Sequence, residues 1–285
     1  MRWTNNITIF MRLLTAVKLL VTQPSMFVQK CRDLIALASI RRQLKGKLSQ
    51  APPPIWSQFG SNEFPFFGDG DEQEIHYHYH FDEWYRSTEK LFRRYINVNS
   101  VTLDVGANLG FITLVMSRIV GENGAVHSFE PGAGMYKKLS ALVERNHLNN
   151  VTLHPYGCGS SDSTHTLTIP QASGNATLRD TFDKNTTSIV RETVSVKSLD
   201  LLLGDQLDRL DFIKIDTEGF ESEVLIGADK LITKFRPIIY IELCSDYRDS
   251  SASAIAFLRS KGYRFPVEPD LNSSRNGENY FAIPV

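Results

Sequence analysis

From residue 100 onward, short apolar runs rich in β-branched residues alternate with longer stretches whose apolar positions recur every three or four residues. The runs predict strands at 101–105, 125–130, 151–156, 210–216, 237–243, 263–267 and 279–284. The longer stretches predict helices at 109–120, 132–148, 219–233 and 251–261. Such alternation implies a mainly parallel sheet covered on both faces. Ile238 to Ile241 is continuously apolar, as a buried central strand should be. The last two runs leave no room for a helix between them and predict an antiparallel hairpin at one edge. Residues 160–200 break the rhythm. They read as an inserted hairpin, T-L-T-I-P and E-T-V-S-V, around a polar loop from Gln171 to Ser188.

Upstream the pattern is different. Ile7 to Val21 is apolar but interrupted by Arg12 and Lys18, too short and too charged for a membrane span. Its polar positions (Asn5, Thr8, Arg12, Thr15, Lys18, Thr22) form the stripe of an amphipathic helix. That helix admits packing on the domain or on a partner, or reversible peripheral contact with a membrane surface; charges within the apolar stretch argue against a cleaved signal peptide. Met26 to Leu48 predicts a second helix, which Pro52-Pro53-Pro54 stops, placing a boundary near residue 50. Residues 55–80 show no clear period. A helix is expected from Asp82, as N-cap, to Ile96. The organisation is then a helical extension (1–50), a linker and substrate-side cap (51–97) and a main domain (98–285).

With 285 residues and 42% apolar content the chain can bury a full core. Lys and Arg number 31 against 32 Asp and Glu, so no overall basic excess draws it to nucleic acid. The three cysteines are far apart and show no C-x-x-C spacing, as expected of small buried hydrophobes in a reducing, cytoplasmic compartment.

The most informative stretch is V-T-L-D-V-G-A-N-L-G-F-I-T, residues 101–113. A strand ending near Asp104 turns through Gly106, Ala107, Asn108 and Gly110 into a helix, the layout of a nucleotide- or nucleoside-binding βα unit. The third glycine of the dinucleotide fingerprint is missing, and so is the Gly-Lys-Ser/Thr of a phosphate loop. A ligand with a ribose and an amino-acid moiety, such as S-adenosyl-L-methionine, suits the turn better than one with a pyrophosphate; NAD is the alternative. Glu130, followed by Pro131, lies 24 residues beyond Gly106, where an acid at the second strand's tip can accept ribose hydroxyls. Main-chain amides of the first turn and this carboxylate are expected to grip the adenosyl sulfonium together.

Chemistry is expected at a second place, D-F-I-K-I-D-T-E-G-F-E, residues 211–221. Lys214 falls inside a strand that should be buried, so it needs an acid beside it. Asp216 shares its side of the strand. Asp216 and Glu218 follow the strand's carboxyl end, and Glu242 ends the next strand at the same rim; the three are the candidate catalytic bases, with Lys214 holding one carboxylate in place. A divalent ion on Asp216 and Glu242 lacks any tight ligand spacing, and no metal site is expected. In the run His76 to His80, all three histidines would share one side if the run were a strand; His78 and His80 are read as lining the substrate pocket, with His78 able to act as a base.

Taken in order, D-V-G-A-N-L-G, F-E-P, V-S-V-K-S-L-D and F-I-K-I-D-T-E-G-F-E closely resemble the FkbM-type S-adenosylmethionine-dependent methyltransferases, over roughly residues 98–284. The resemblance implies a Rossmann-like class I α/β fold with a seven-stranded sheet and an antiparallel C-terminal hairpin. It implies cofactor contacts at Asp104, Gly106, Asn108, Gly110 and Glu130, and site roles for Lys214, Asp216, Glu218 and Glu221, the last towards substrate. It also implies methylation of hydroxyls on sugars, glycolipids, polyketides and similar small molecules. Gly157-Cys158-Gly159 departs from the family's more usual alanine and other small residues after the third strand. Methylation of nitrogen or protein on the same platform, and a non-catalytic scaffold that binds a partner or membrane through residues 1–50, are the competing readings.

Overall fold

The structure is a computed structural model describing residues 24–48, 54–66, 72–170, 176–178, 189–272 and 277–285. The expected helix over 7–21, the proline triplet (apart from Pro54) and most of the loop from Gln171 to Ser188 lie outside these residues. The described chain falls into two compact units. The first contains helix α1 (Pro24–Leu48), part of strand β1 (Ile55–Phe59), the end of strand β2 (Asn62–Phe66) and the first half of helix α2 (Glu72–Phe92). Residues 58–65 and everything from Asp82 on form the second.

Helix α2 begins ten residues before the expected N-cap at Asp82, which lies mid-helix and exposed. The reason is visible in its burial: residues 78, 81, 85, 88 and 92 form one helical stripe, but His78 and Thr88 occupy two of its five positions and disguise the period. The histidine run is therefore helical rather than extended. Residues two apart on a helix point to nearly opposite sides, so His78 and His80 do not share a face.

The second unit continues with β3 (Val101–Val105), α3 (Phe111–Val120), β4 (Ala125–Phe129), α4 (Ala133–Arg145), β5 (Val151–His154), β6 (Gly157–Cys158), β7 (Ser163–Pro170) and β8 (Ile189–Lys197). It is completed by α5 (Leu199–Leu203), β9 (Phe212–Ile215), α6 (Glu221–Gly227), α7 (Asp229–Phe235), β10 (Ile238–Leu243), α8 (Arg248–Ser260), β11 (Tyr263–Arg264) and β12 (Glu278–Pro284). Seven strands form one sheet in the order β11-β12-β10-β9-β3-β4-β5. The five from β10 to β5 run parallel, and β12 is antiparallel to both β10 and β11. This is the expected doubly wound sheet with its closing hairpin. Its core includes Leu103, Val105, Ile213, Ile215, Ile239 and Ile241, each no more than 1% exposed.

Strand order reverses between β3 and β9, and the crevice beyond their carboxyl ends is where an open α/β sheet binds ligands. The expected hairpin of the insertion is present as β7 against β8, joined by β6 in a small separate sheet. The helix expected over 219–233 is two helices, broken at Ala228. Gly227 packs so close to Gly159 that an added Cβ would lie 1.9 Å from its carbonyl oxygen. The Ser198 hydroxyl donates to the Gly227 carbonyl at 2.9 Å, satisfying a group that the break leaves open.

Candidate active site

The parallel register sets the site. Asp104 on β3 pairs with Lys214 on β9, and Lys214 with Tyr240 on β10. One residue past the Ile215–Ile241 pair, Asp216 and Glu242 come to lie side by side at the rim. Lys214 is 4% exposed. Its ammonium lies 3.4 Å from Asp104 Oδ1 and 3.5 Å from Asp216 Oδ2, and donates to the carbonyls of Gly106 (2.7 Å) and Val105 (3.3 Å). The pairing required of a buried lysine is met on both sides. Asp104 is fully buried, and its Oδ2 accepts from the Thr113 hydroxyl at 2.6 Å, which in turn bonds Ser128 at 2.9 Å. Asp104 is thus a floor beneath Lys214.

The turn after β3 departs from expectation. The amides of Gly106 and Ala107 donate to the Phe129 carbonyl (3.1 and 2.9 Å), that of Asn108 to Glu130 Oε2 (2.9 Å), and that of Gly110 to the Ala107 carbonyl (2.9 Å). These four amides are consumed within the protein and do not form an open anion cradle. Gly106, at φ +78°, is required by the fold itself, since an added Cβ would lie 1.8 Å from the Asp216 carbonyl oxygen. Gly110, at φ +89°, makes room for Leu139 of α4. The turn leaves the side-chain oxygen of Asn108 buried and without a hydrogen-bond partner among the described residues. Glu130, 6% exposed, accepts from Asn108 N and, through Oε1, from Gly132 N at 2.9 Å. Its burial pushes its carboxyl up to about 7 against the pull of those two amides. Ala107 is buried, and Pro131, next to Glu130 in sequence, is half-buried.

The second cluster stands on a strained turn. Glu218 (φ +53°) and Gly219 (φ +102°) are both left-handed. Glu221 clamps them: its Oε1 accepts from Thr217 N, Thr217 Oγ1 and Gly219 N, each at 3.0 Å. Expected to contact substrate, Glu221 is 2% exposed, and this oxygen is occupied in shaping the turn. Thr177, from the inserted loop, donates its hydroxyl to the Glu218 carbonyl at 2.7 Å. Asp216, Glu218 and Glu242 each bring a carboxylate oxygen within 4.8 Å of the others. Burial, then the charge of Asp216, pushes Glu218 up to about 7. Burial, then Asp216 and Glu218, pushes Glu242 up to about 9, and Glu242 shares a hydrogen bond with Asp216. These three are the carboxylates available to a proton or to a divalent cation. His78 (7% exposed) and His80 belong to the first unit, where the neighbouring Tyr79 hydroxyl donates to Asp33 at 3.0 Å.

Two contributors escape the motif reading. Thr113 and Ser117 are the polar residues on the buried face of an otherwise apolar helix, F-I-T-L-V-M-S, a signal that could have marked Thr113 as a partner for Asp104. Thr177 lies in a polar loop with no period and gives no such signal.

Comparison with known proteins completes the picture. The pattern described as "Methyltransferase FkbM domain" matches residues 104–265, more than half of the chain. The chain belongs to the FkbM methyltransferase family. Methyltransferase 1 of Beauveria bassiana (strain ARSEF 2860) is 32% identical over 190 residues, 60% of this chain and 76% of that protein. Methyltransferase sdnD of Sordaria araneosa is 31% identical over 160 residues, 46% of this chain and 61% of that one. The solved FkbM methyltransferase of Methylobacillus flagellatus KT aligns over 88% of this chain and 59% of its own, at 18% identity and a TM-score of 0.46.

Proposed function

We propose that this FkbM methyltransferase carries the methyl group of S-adenosyl-L-methionine to a hydroxyl of a small-molecule, sugar or glycolipid acceptor. The observation that carries the reading is electrostatic. Asp104, Asp216, Glu130 and Glu218 all act on Lys214, and Glu221 and the protonated Glu242 adjoin the same carboxylates. Among the described residues, no cation besides Lys214 is among the leading charges on Glu130, Glu218 or Glu242. Such a crevice disfavours a pyrophosphate and favours a ligand bearing an ammonium and a sulfonium. The residues of the first turn fit the same group. Glu130 has about four lone-pair positions, of which two are taken by amides, leaving capacity for ribose hydroxyls. The unpartnered Asn108 oxygen is a further acceptor waiting for a donor.

When bound, the cofactor supplies an activated methyl on a good leaving group. The chain has to align the acceptor, exclude water and take up the hydroxyl proton. Glu218 suits the last task, because a carboxyl near 7 is half-ionised at the working pH and its turn is fixed by Glu221 and Thr177. Glu242 is neutral there and donates to Asp216, which Lys214 also holds. Lys214 already supplies a cation at this cluster, so no divalent ion is needed.

Hydroxylated and amine acceptors incubated with methyl-labelled cofactor and analysed by mass spectrometry test the proposal; labelling of amines alone would refute it. With the acceptor known, Glu218→Gln should bind the cofactor in calorimetry as the parent does, yet turn over roughly 10²–10⁴-fold more slowly. The parent's rate should fall as pH drops below about 7, where Glu218 gains its proton, and this limb should vanish in the variant. Chelation should leave turnover unchanged. If chelation abolished transfer and Mg²⁺ restored it, the carboxylates would instead be metal ligands.

A further inference from the structure

The charge of this chain is unevenly placed. Residues 1–48 contain nine Lys and Arg against a single acid, Asp33, whereas residues 49–285 contain 22 against 31. The near-neutral total conceals a basic leading segment joined to an acidic domain.

Helix α1 shows how part of that segment is presented. Asp33, Leu37, Ile40 and Leu44 lie on one face; Leu37 and Ile40 pack on buried Leu44, and Asp33 accepts from Tyr79. Positions 28, 32, 35, 39 and 42, spaced by four, three, four and three, lie on the opposite face and are all exposed. They are Val28 (46% exposed), Arg32, Ile35 (72% exposed), Ser39 and Arg42. Upstream, Ile7 to Val21 likewise places aliphatic residues between Arg12 and Lys18.

We infer that helix α1, through the face bearing Val28, Arg32, Ile35 and Arg42, docks this protein on an anionic lipid bilayer. A polyanion in water would reward the arginines and leave Val28 and Ile35 wet. An anionic bilayer rewards both: the arginines reach headgroup phosphates while the two aliphatic side chains beside them enter the acyl boundary. Helix α1 is not long and apolar enough to cross a membrane and carries arginines on its exposed face, so it would lie along the surface. The acidic domain is repelled by the same surface, so the contact is oriented through the basic segment.

Co-sedimentation of the full chain with phosphatidylcholine vesicles, with and without phosphatidylserine, tests this without reference to methyl transfer. The chain should bind only the phosphatidylserine vesicles and release at high salt, where the screening length shrinks to about 3 Å. Replacing both Arg32 and Arg42 by Gln should weaken binding ~25-fold, about fivefold for each charge. Ile35→Asp should weaken it on the same vesicles. Three results would each overturn the inference: no vesicle binding, equal binding to neutral vesicles, or undiminished binding of Ile35→Asp. Preferential capture by single-stranded RNA in direct competition would do so as well.

Discussion

Glu242 is the residue most at odds with its surroundings. Folded, it keeps its proton to about pH 9; unfolded, it would lose it near 4.5. Between these values the native state binds more protons than the unfolded state, so stability falls as pH rises through the window. Glu130 and Glu218, both raised to about 7, act in the same direction over its lower part. The ligand-free protein should therefore have its highest melting temperature in mildly acidic buffer and lose stability steadily towards about pH 9. Glu242→Gln keeps a donor towards Asp216 and cannot ionise. It should flatten the upper part of the curve and melt at a higher temperature than the parent near pH 9. A melting temperature that climbed with pH in the parent would contradict this assignment. These shifts come from burial and from carboxylates converging across strands, which no local sequence window displays. The sequence does reveal the acids' positions at strand tips; it conceals that one should hold a proton and that Glu221 turns inward to clamp its own loop.

Strands β3 and β9 are joined by more than their backbone ladder. Lys214 spans them, bonded to the carbonyls of Val105 and Gly106 and paired with Asp104, which has no exposure at all. Lys214→Met strands a buried carboxylate and should cost about 3–5 kcal/mol in urea unfolding. Adding Asp104→Asn should recover much of that loss, because the group left behind is then neutral. Additive losses would mean that the two do not act as a pair. Only part of this link is legible in the sequence: burial cost calls for an acid beside a lysine in an apolar strand, but local spacing points to Asp216, and Asp104 reaches Lys214 through the register of β3 against β9. The elements that misled were those whose stripes include polar residues, as in α2, or whose break coincides with a close backbone approach, as where Gly227 lies against Gly159 just before Ala228. Periodicity sees a helix's own positions and is blind to a neighbour's backbone.

At the scale of the whole molecule, the parallel sheet and its closing hairpin followed from alternation and loop length, because a parallel pair needs a crossover and a short link does not allow one; the order of the strands is visible only in the structure. The proposed cofactor would touch the turn after β3 and the tip of β4, elements that separate on unfolding. A saturating ligand at about 100 times its dissociation constant should raise stability by ~2.7 kcal/mol and the melting temperature by roughly 5–10 °C. Thermal scans with S-adenosyl-L-methionine, using ATP as control, would measure this; an equal shift with ATP would favour a phosphate ligand instead.

The near-contact of Gly106 with the carbonyl of Asp216 also bears on engineering. Two loops usually imagined as separate cassettes, one for the nucleoside and one for the acceptor, are here interlocked like the teeth of adjoining gears. Chimeras that graft residues 216–221 from a relative will need the matching 104–110 segment from the same donor, or the graft will displace the first loop along with the second.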